Sequence, residues 1–183
     1  PDQKQLEAMS ARFASVEIRA DVASLPPNER QALHKLVEAA RIMDALFLRQ
    51  AWAGNEAKLF ELLDDRSAVG QARLRYFLVN KGPWSRLDHN EPFVTGVPAK
   101  PPQGNFYAVG ATKEEIEKWL AALPPAAREQ ATGFFTTIRR APDGKLQAVP
   151  YSLEYQGELA RVAALLREAA AVTAQPTLKA YLD

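Results

Sequence analysis

The chain has 183 residues, of which 47% are apolar and 25% are charged. This balance is typical of a globular protein with enough apolar residues for a core, and the length fits one domain or a domain with an appendage. The formal net charge is only +1, and acidic and basic residues are mixed along the helices. This distribution argues against a dedicated nucleic-acid surface, and no apolar run approaches the roughly 18 residues that a membrane-spanning helix needs.

Cysteine is absent, which excludes disulfides, a thiolate nucleophile and Cys-ligated zinc. This composition is compatible with the cytoplasm or the periplasm. The chain starts at Pro1 without a signal peptide, so we expect that either a leader has been removed or the chain has been trimmed. Residues 176–182 predict a helix that stops without a capping signal. We therefore expect the chain to be part of a longer protein.

The first regular element follows a polar lead-in. Val16, Ile18 and Val22 alternate with charged residues between Phe13 and Val22. This period of two predicts a strand, with extended chain lying on a helix as the alternative.

A block of three helices comes next. Ser24–Asn28 combines capping side chains with prolines suited to a first helical turn. Apolar residues at helical spacing then predict a long helix over 29–53. Shorter helices are predicted over 56–63 and 66–79. The block ends at residues 80–83, where glycine and proline stop the helix.

The stretch from residue 82 to residue 107 fits neither a helix nor a short turn, because its prolines and glycines forbid a helix. A loop this long in a compact domain is either functional or partly strand. Within it, Trp84–Asp88 and Pro92–Val94 are candidates for short strands.

Regular structure resumes after this loop. Thr112 and Glu115 match a capping box that starts a helix, and a further short helix runs through Gln130. Residues 134–140 and 146–151 flank a Pro-Asp-Gly turn and predict a β-hairpin. Ser152 is the predicted N-cap of the last full helix, which extends to about Thr173.

The pattern thus divides one fragment, 1–183, into three segments. The first, 13–80, holds a strand and the helical block. The second, 81–110, is the loop rich in proline, glycine and aromatic residues with its short strands. The third, 111–183, holds a helix, the hairpin, a long helix and a final truncated helix.

No motif predicts a catalytic or metal site. His34 and Glu38 are spaced i, i+4 but do not form an HExxH motif, so a solvated pair is favoured over a metal pair. His89 lies beside Asp88 and Glu91, which favours a role in stabilising the turn over a role as a general base. Nucleophile-elbow, phosphate-loop and dinucleotide-binding motifs are also absent.

Aromatic residues concentrate in and around the loop. Their pattern favours packing that holds the loop to the core, and the alternative is the wall of a ligand cleft. The set comprises Trp84, Phe93, Phe106, Tyr107 and Tyr151.

The sequence from Gly82 to Val94, GPWSRLDHNEPFV, resembles the amino-terminal part of the dipeptidyl peptidase III family of zinc metallopeptidases. It is most similar to the bacterial branch of Zn-dependent hydrolases, whose stretch reads roughly GPWxRLDxNxPF. The likeness extends over nearly the whole chain. It includes residues 13–53, Asn105-Phe106-Tyr107, Thr112–Glu115, Val149-Pro150-Tyr151 and residues 155–182.

The resemblance implies a two-lobed enzyme that removes dipeptides from the N-termini of peptides. In that family an HExxGH helix and a further glutamate hold the zinc, and this chain contains no such motif. We therefore expect the non-catalytic amino-terminal lobe: α+β, mostly helical, with a small antiparallel or barrel-like β portion. The fragment alone should be inactive and hold no metal, whereas the full-length protein should hold zinc and bind peptides. This lobe should pack on the zinc-bearing lobe.

The resemblance also implies substrate-binding residues. Phe93 is similar in position to an aromatic residue that lines the family's cleft, and Trp84 and Tyr107 are near it. Two other hypotheses stay open. One is a stand-alone peptide-binding domain, and the other is a lobe of a hydrolase related to larger proteins called Nudix hydrolases.

Overall fold

The computed structural model describes residues 1–183 and is an α+β structure dominated by helices, which confirms the predicted fold class. Taken singly, the helices all fall short of the length and apolarity needed to cross a membrane. The helices are α1 (Gln3–Ala11), α2 (Pro27–Ala51), α3 (Asn55–Asp64), α4 (Ala68–Asn80), α5 (Lys113–Ala122), α6 (Pro125–Ala131), α7 (Tyr151–Glu154), α8 (Gln156–Val172) and α9 (Pro176–Leu182).

The β portion consists of two separate antiparallel pairs. In the first, β1 (Trp84–Ser85) pairs with β2 (Glu91–Pro92) across a 3₁₀ turn at Arg86–Asp88. In the second, β3 (Thr136–Arg140) pairs with β4 (Leu146–Pro150). The strands are antiparallel, as expected, and the two pairs do not close into a barrel.

The chain folds into two compact units, each assembled from two stretches of sequence. The first unit comprises residues 1–19 and 47–105, and the second comprises residues 20–46 and 106–183.

The core of the first unit forms where α1, α3 and α4 pack together. Tyr76 and Phe77 on α4 are completely buried in it. Burying such large apolar side chains is the main favourable term in folding. The other buried members are Leu6, Leu48, Leu62, Ala72, Phe93 and Val94.

The second unit packs α5 against the β3–β4 hairpin around Ile116 and Ile138. In the same unit, Glu29 at the start of α2 accepts hydrogen bonds from Thr173 Oγ1 and from the Ala174 N–H, both at 2.7 Å. The hydrogen bond from Thr173 is the main reason that the pKa of Glu29 is lowered. These contacts join the first turn of α2 to the end of α8.

Most predicted elements are confirmed, with small shifts at their ends. The hairpin forms at Thr136–Arg140 and Leu146–Pro150, and the long helix runs over Pro27–Ala51. The predicted strand over Phe13–Val22 is wrong, because no neighbouring strand pairs with it. Val16 and Ile18 are 75% and 92% exposed, so the alternation there does not mark a buried face.

The predicted N-cap at Ser152 is also wrong. A short helix starts directly after Pro150, and the chain then bends at Tyr155, whose φ of −118° is not helical, before α8 begins. Tyr155 is buried and its ring lies 5.0 Å from that of Tyr151 in an edge-to-face contact. This aromatic packing accounts for the break.

Helix α1 is an element that the sequence interpretation missed. Asp2 Oδ1 accepts from the Gln5 N–H, and Gln5 Oε1 accepts from the Asp2 N–H. This reciprocal pair is a capping box, and the Asp-x-x-Gln spacing was available in the sequence. The helix buries Leu6 completely.

The burial of Leu6 gives a stability prediction. Leu6→Ala leaves a cavity in the core of the first unit and should lower the free energy of unfolding by about 2 to 5 kcal/mol. Lys4→Ala, on the exposed face of the same helix, should change it little. Urea unfolding followed by circular dichroism checks both. Equal, small effects would show that α1 does not pack on this core.

Candidate functional site

The candidate site is built on the loop from Gly82 to Phe93. Two buried asparagines fix its entrance. Asn55 Nδ2 donates to the carbonyl oxygens of Leu48 (2.8 Å) and Lys81 (3.3 Å). Asn80 Oδ1 accepts from the backbone N–H of Arg86 at 3.0 Å. These side chains form hydrogen bonds with backbone groups that have no partner in a helix or a long strand.

Four side chains of the first unit then form a closed ring of hydrogen bonds. Arg12 binds both carboxylate oxygens of Asp88, at 2.8 and 2.5 Å. Ser85 Oγ donates to Asp88 Oδ2 at 2.5 Å, so Tyr76 must donate to Ser85 across its 2.5 Å contact. Arg12 Nη2 also donates to Tyr76 Oη at 3.4 Å. We call these four residues the Asp88 ring.

The Asp88 ring joins three elements that are separate in sequence. Arg12 follows α1, Tyr76 belongs to α4, and Ser85 and Asp88 belong to the loop. Tyr76 and Ser85 are fully buried, whereas Arg12 and Asp88 are roughly one-third exposed or more. Two-pronged pairing with arginine is the geometry that makes such a contact specific.

The ring also sets the charge of Asp88. Its hydrogen bonds from Arg12, and next from Ser85, lower the pKa of Asp88 from 3.8 to about 2. The same contacts raise the pKa of Arg12. The carboxylate is therefore ionised throughout the range of neutral and mildly acidic pH, and it acts as a fixed hydrogen-bond acceptor.

The turn after Asp88 uses two consecutive left-handed residues. His89 and Asn90 have φ values of 51° and 61°, and the Asn90 N–H donates to the carbonyl oxygen of Ser85 at 2.8 Å. Histidine and asparagine are among the residues that adopt this conformation most often. The position of His89 agrees with the turn role favoured by its sequence context.

Trp84 is a packed residue. It is 4% exposed, its ring meets that of Trp52 edge-to-face at 5.0 Å, and its Nε1 donates to the Pro98 carbonyl at 2.9 Å. Glycine keeps the space around both rings open. A Cβ at Gly82 would lie 3.3 Å from Trp84, and a Cβ at Gly54 would lie 2.3 Å from Trp52.

Phe93 combines packing with access to a groove. It is 4% exposed and meets Tyr76 edge-to-face at 4.7 Å. It also lines an open groove of about 540 Å³ in the first unit. Much of the groove is apolar, and Asp88 lies at its edge. Its lining is Pro1, Gln5, Ala8, Met9, Ser85, Asp88, Glu91, Pro92 and Phe93.

Tyr107 belongs to the second unit, whereas Trp84 and Phe93 belong to the first. It is 38% exposed and lines a separate concavity of about 270 Å³ together with Phe106, Phe134 and Tyr151. Its carbonyl oxygen accepts from Arg139 at 3.3 Å. Trp84 thus lies in β1 and Phe93 directly follows β2, whereas the Tyr107 carbonyl is bonded to Arg139 of β3.

Two solved structures match the chain over nearly its whole length. Dipeptidyl-peptidase III from Corallococcus sp. strain EGB is 58% identical with a TM-score of 0.96, and the match covers 100% of this chain and 34% of that one. Dipeptidyl-peptidase III from Caldithrix abyssi is 40% identical with a TM-score of 0.87, covering 96% and 33%. This chain is a partial dipeptidyl-peptidase-III-like chain.

A curated relative from Arabidopsis thaliana, Nudix hydrolase 3, is 30% identical, with 98% of this chain and 29% of that protein covered. The sequence matches no protein-family model. The dipeptidyl-peptidase-III-like chain therefore spans about one third of the length of the proteins it matches.

The residues of this chain do not fit a catalytic zinc ion. His34 Nδ1 and Glu38 Oε1 are 3.8 Å apart, but no third ligand joins them. No group of three or more His, Cys, Asp or Glu side chains converges anywhere in residues 1–183. Catalytic zinc sites use three protein ligands, and these residues do not supply such a set.

Sequence reasoning missed Arg12 and Tyr76 as partners of the loop. The Arg-Leu-Asp segment drew attention to Asp88, but its partner is 76 residues away in sequence. The signal that points to Arg12 is indirect. The overlooked capping box at Asp2 predicts α1, and Arg12 is its C-cap residue.

The Asp88 ring gives a pH-dependent prediction. Asp88→Asn should lower the melting temperature at pH 7, because the charged partner of Arg12 is lost. Since the folded pKa lies below the unfolded value, the wild type keeps this stability above pH 3.8 and loses it as the pH falls towards about 2.

Urea unfolding at several pH values measures this difference. The difference in the free energy of unfolding between wild type and Asp88→Asn should become smaller below pH 3.8. Asp64→Asn, an exposed carboxylate of the same unit, serves as the control and should show no such difference. If the difference in the free energy of unfolding for Asp88→Asn stayed the same at low pH, the stabilising role of the ionised Asp88 would be contradicted.

Proposed function

We propose that this chain is the amino-terminal, non-catalytic lobe of a zinc-dependent dipeptidyl-peptidase-III-like peptidase. The observation that carries the proposal is the 58% identity with a dipeptidyl-peptidase III structure over the entire chain. In this proposal the lobe supplies scaffold and part of the wall of a peptide cleft. The substrate is a peptide, shortened by a dipeptide from its N-terminus.

The zinc and its ligands belong to the rest of the full-length protein. In the proposed enzyme the zinc would activate water for peptide hydrolysis. The residues of this chain would support and line the cleft, since they offer no set of three ligands for zinc. The lobe packs on the part of the protein that bears the zinc.

The loop at residues 82–93 supports a scaffold role in the cleft. Its conformation is fixed by the Asp88 ring and by buried asparagines, so it does not have to become ordered when a peptide binds. A preorganised wall lowers the entropic cost of binding. We propose that Phe93 and Tyr107 contact the substrate directly, and that Trp84, which is 4% exposed, holds the start of the loop against Trp52.

A second candidate follows from the Arabidopsis relative. The chain could serve as a lobe of a hydrolase related to Nudix hydrolase 3, which is 30% identical. The higher identities of the dipeptidyl-peptidase III structures, 58% and 40%, favour the peptidase.

The proposal predicts that the full-length protein is active and that this chain alone is not. The full-length protein should release dipeptides from a chromogenic dipeptidyl amide and contain zinc, whereas the 183-residue chain should do neither. Release of dipeptides is followed by absorbance, and zinc by atomic emission after gel filtration. A full-length protein that hydrolyses nucleoside diphosphate derivatives but not peptides would overturn the proposal in favour of the second candidate.

The substrate-contact role of Tyr107 can be tested in the full-length protein. Tyr107→Ala should raise KM roughly fivefold and leave kcat nearly unchanged, because uniform binding of the peptide is lost. Tyr181→Ala, which truncates a more exposed tyrosine of the same unit (86% exposed), is the control and should change neither constant. An unchanged KM for Tyr107→Ala would remove this residue from the site.

A further inference from the structure

The second unit carries an exposed aromatic patch where the chain enters β3 and leaves β4. We define it by four residues, Phe134, Phe135, Tyr151 and Leu153. Phe134 is 95% exposed, Phe135 76% and Leu153 64%, and Tyr151 is half-buried. Two adjacent phenylalanines this exposed are unusual, because large apolar groups normally face the core. Clustered exposure of this kind marks an interaction surface.

Two members of the aromatic patch, Phe135 and Tyr151, are held in place by contacts with the rest of the unit. The Phe135 carbonyl oxygen accepts from the Tyr151 N–H at 2.8 Å, and the two rings meet edge-to-face at 6.0 Å. Tyr151 in turn packs on the buried ring of Tyr155 at 5.0 Å. Phe135 and Tyr151 therefore anchor the patch to the hairpin and to α7.

The charges beside the patch neutralise each other. Arg139 donates through Nε to Glu154 Oε1 at 2.8 Å, and its Nη2 lies 2.6 Å from the same oxygen. Both side chains are only about one-fifth exposed. The patch itself contains no charged residue. An apolar centre without free charge is the composition of a permanent interface.

We propose that the aromatic patch is the surface on which this unit docks against the remaining two thirds of the same polypeptide, the part that bears the zinc. The inference rests on the proposed function and adds the docking surface to it. The dipeptidyl-peptidase III structures are about three times as long as this chain, which covers 34% and 33% of them. A single longer chain therefore offers the partner surface at high effective concentration.

Phe134 and Tyr151 also line the concavity of Tyr107, so the patch borders the proposed substrate contact. Its exposed outer face suits a peptide substrate less well than a folded protein surface. A bound peptide presents a charged N-terminus and unpaired backbone groups, which need placed polar partners. The charged pair beside the patch, Arg139 and Glu154, is already mutually satisfied. Two surfaces of one folded protein, in contrast, bury apolar side chains without that requirement.

Hydroxyl-radical footprinting tests the docking. Phe134 and Phe135 should be oxidised roughly fivefold more slowly in the full-length protein than in the 183-residue chain, because an interface core excludes water. Phe60, which is 68% exposed in the first unit, is the internal control and should react at the same rate in both. A double variant, Phe134→Asp with Phe135→Asp, should lower the melting temperature of the full-length protein but not of the 183-residue chain.

Several results would overturn the inference. One is equal oxidation of Phe134 and Phe135 in the two proteins. Another is protection that appears in the 183-residue chain and grows with its concentration, which would assign the patch to a second copy. A third is protection that requires an added peptide. Protection in a full-length protein that lacks peptidase activity would support the docking surface while refuting the proposed function.

Discussion

The loop at residues 82–93 has too few backbone pairs to hold its own shape, since its two strands contribute only two residues each. Its order depends on the Asp88 ring. Arg12 comes from the N-terminal helix and Tyr76 from the core, and both converge on one carboxylate of the loop. Because each side chain bonds to two others, removal of one member leaves buried polar groups unsatisfied. The ring therefore links helix α1, the core and the loop through one network of hydrogen bonds.

In the proposed function, this arrangement would let a chain without a metal-ligand set contribute to an enzyme. A cleft wall must hold its aromatic groups in place before the substrate arrives. Phe93 follows β2 directly, and its position is set by Tyr76, a member of the Asp88 ring. In our proposal, the exposed patch at Phe134 and Phe135 supplies a surface for attachment to the rest of the enzyme. The Asp88 ring and the aromatic patch belong to separate units of the chain.

The sequence predicted most of the fold because its helices and hairpin carry local signals. The capping Thr112, the Pro-Asp-Gly turn and the helical spacing over α2 all act within a few residues. The strand expected near Ile18 failed because a strand needs a partner, and alternation alone does not supply one. The Asp88 ring could not be predicted, since it joins Arg12 to Asp88 across 76 positions. The proline and glycine content identified the loop, but only the structure shows what holds it.

The claim that the Asp88 ring orders the loop is tested most directly by amide hydrogen exchange in the Arg12→Gln variant. Two loop amides report on it, the Asn90 N–H bonded to Ser85 and the Phe93 N–H bonded to Pro83. Both should exchange slowly in the wild type and much faster in the variant, whereas amides of the β3–β4 hairpin should not change. Unchanged protection of the Asn90 and Phe93 amides in a folded Arg12→Gln protein would contradict the account.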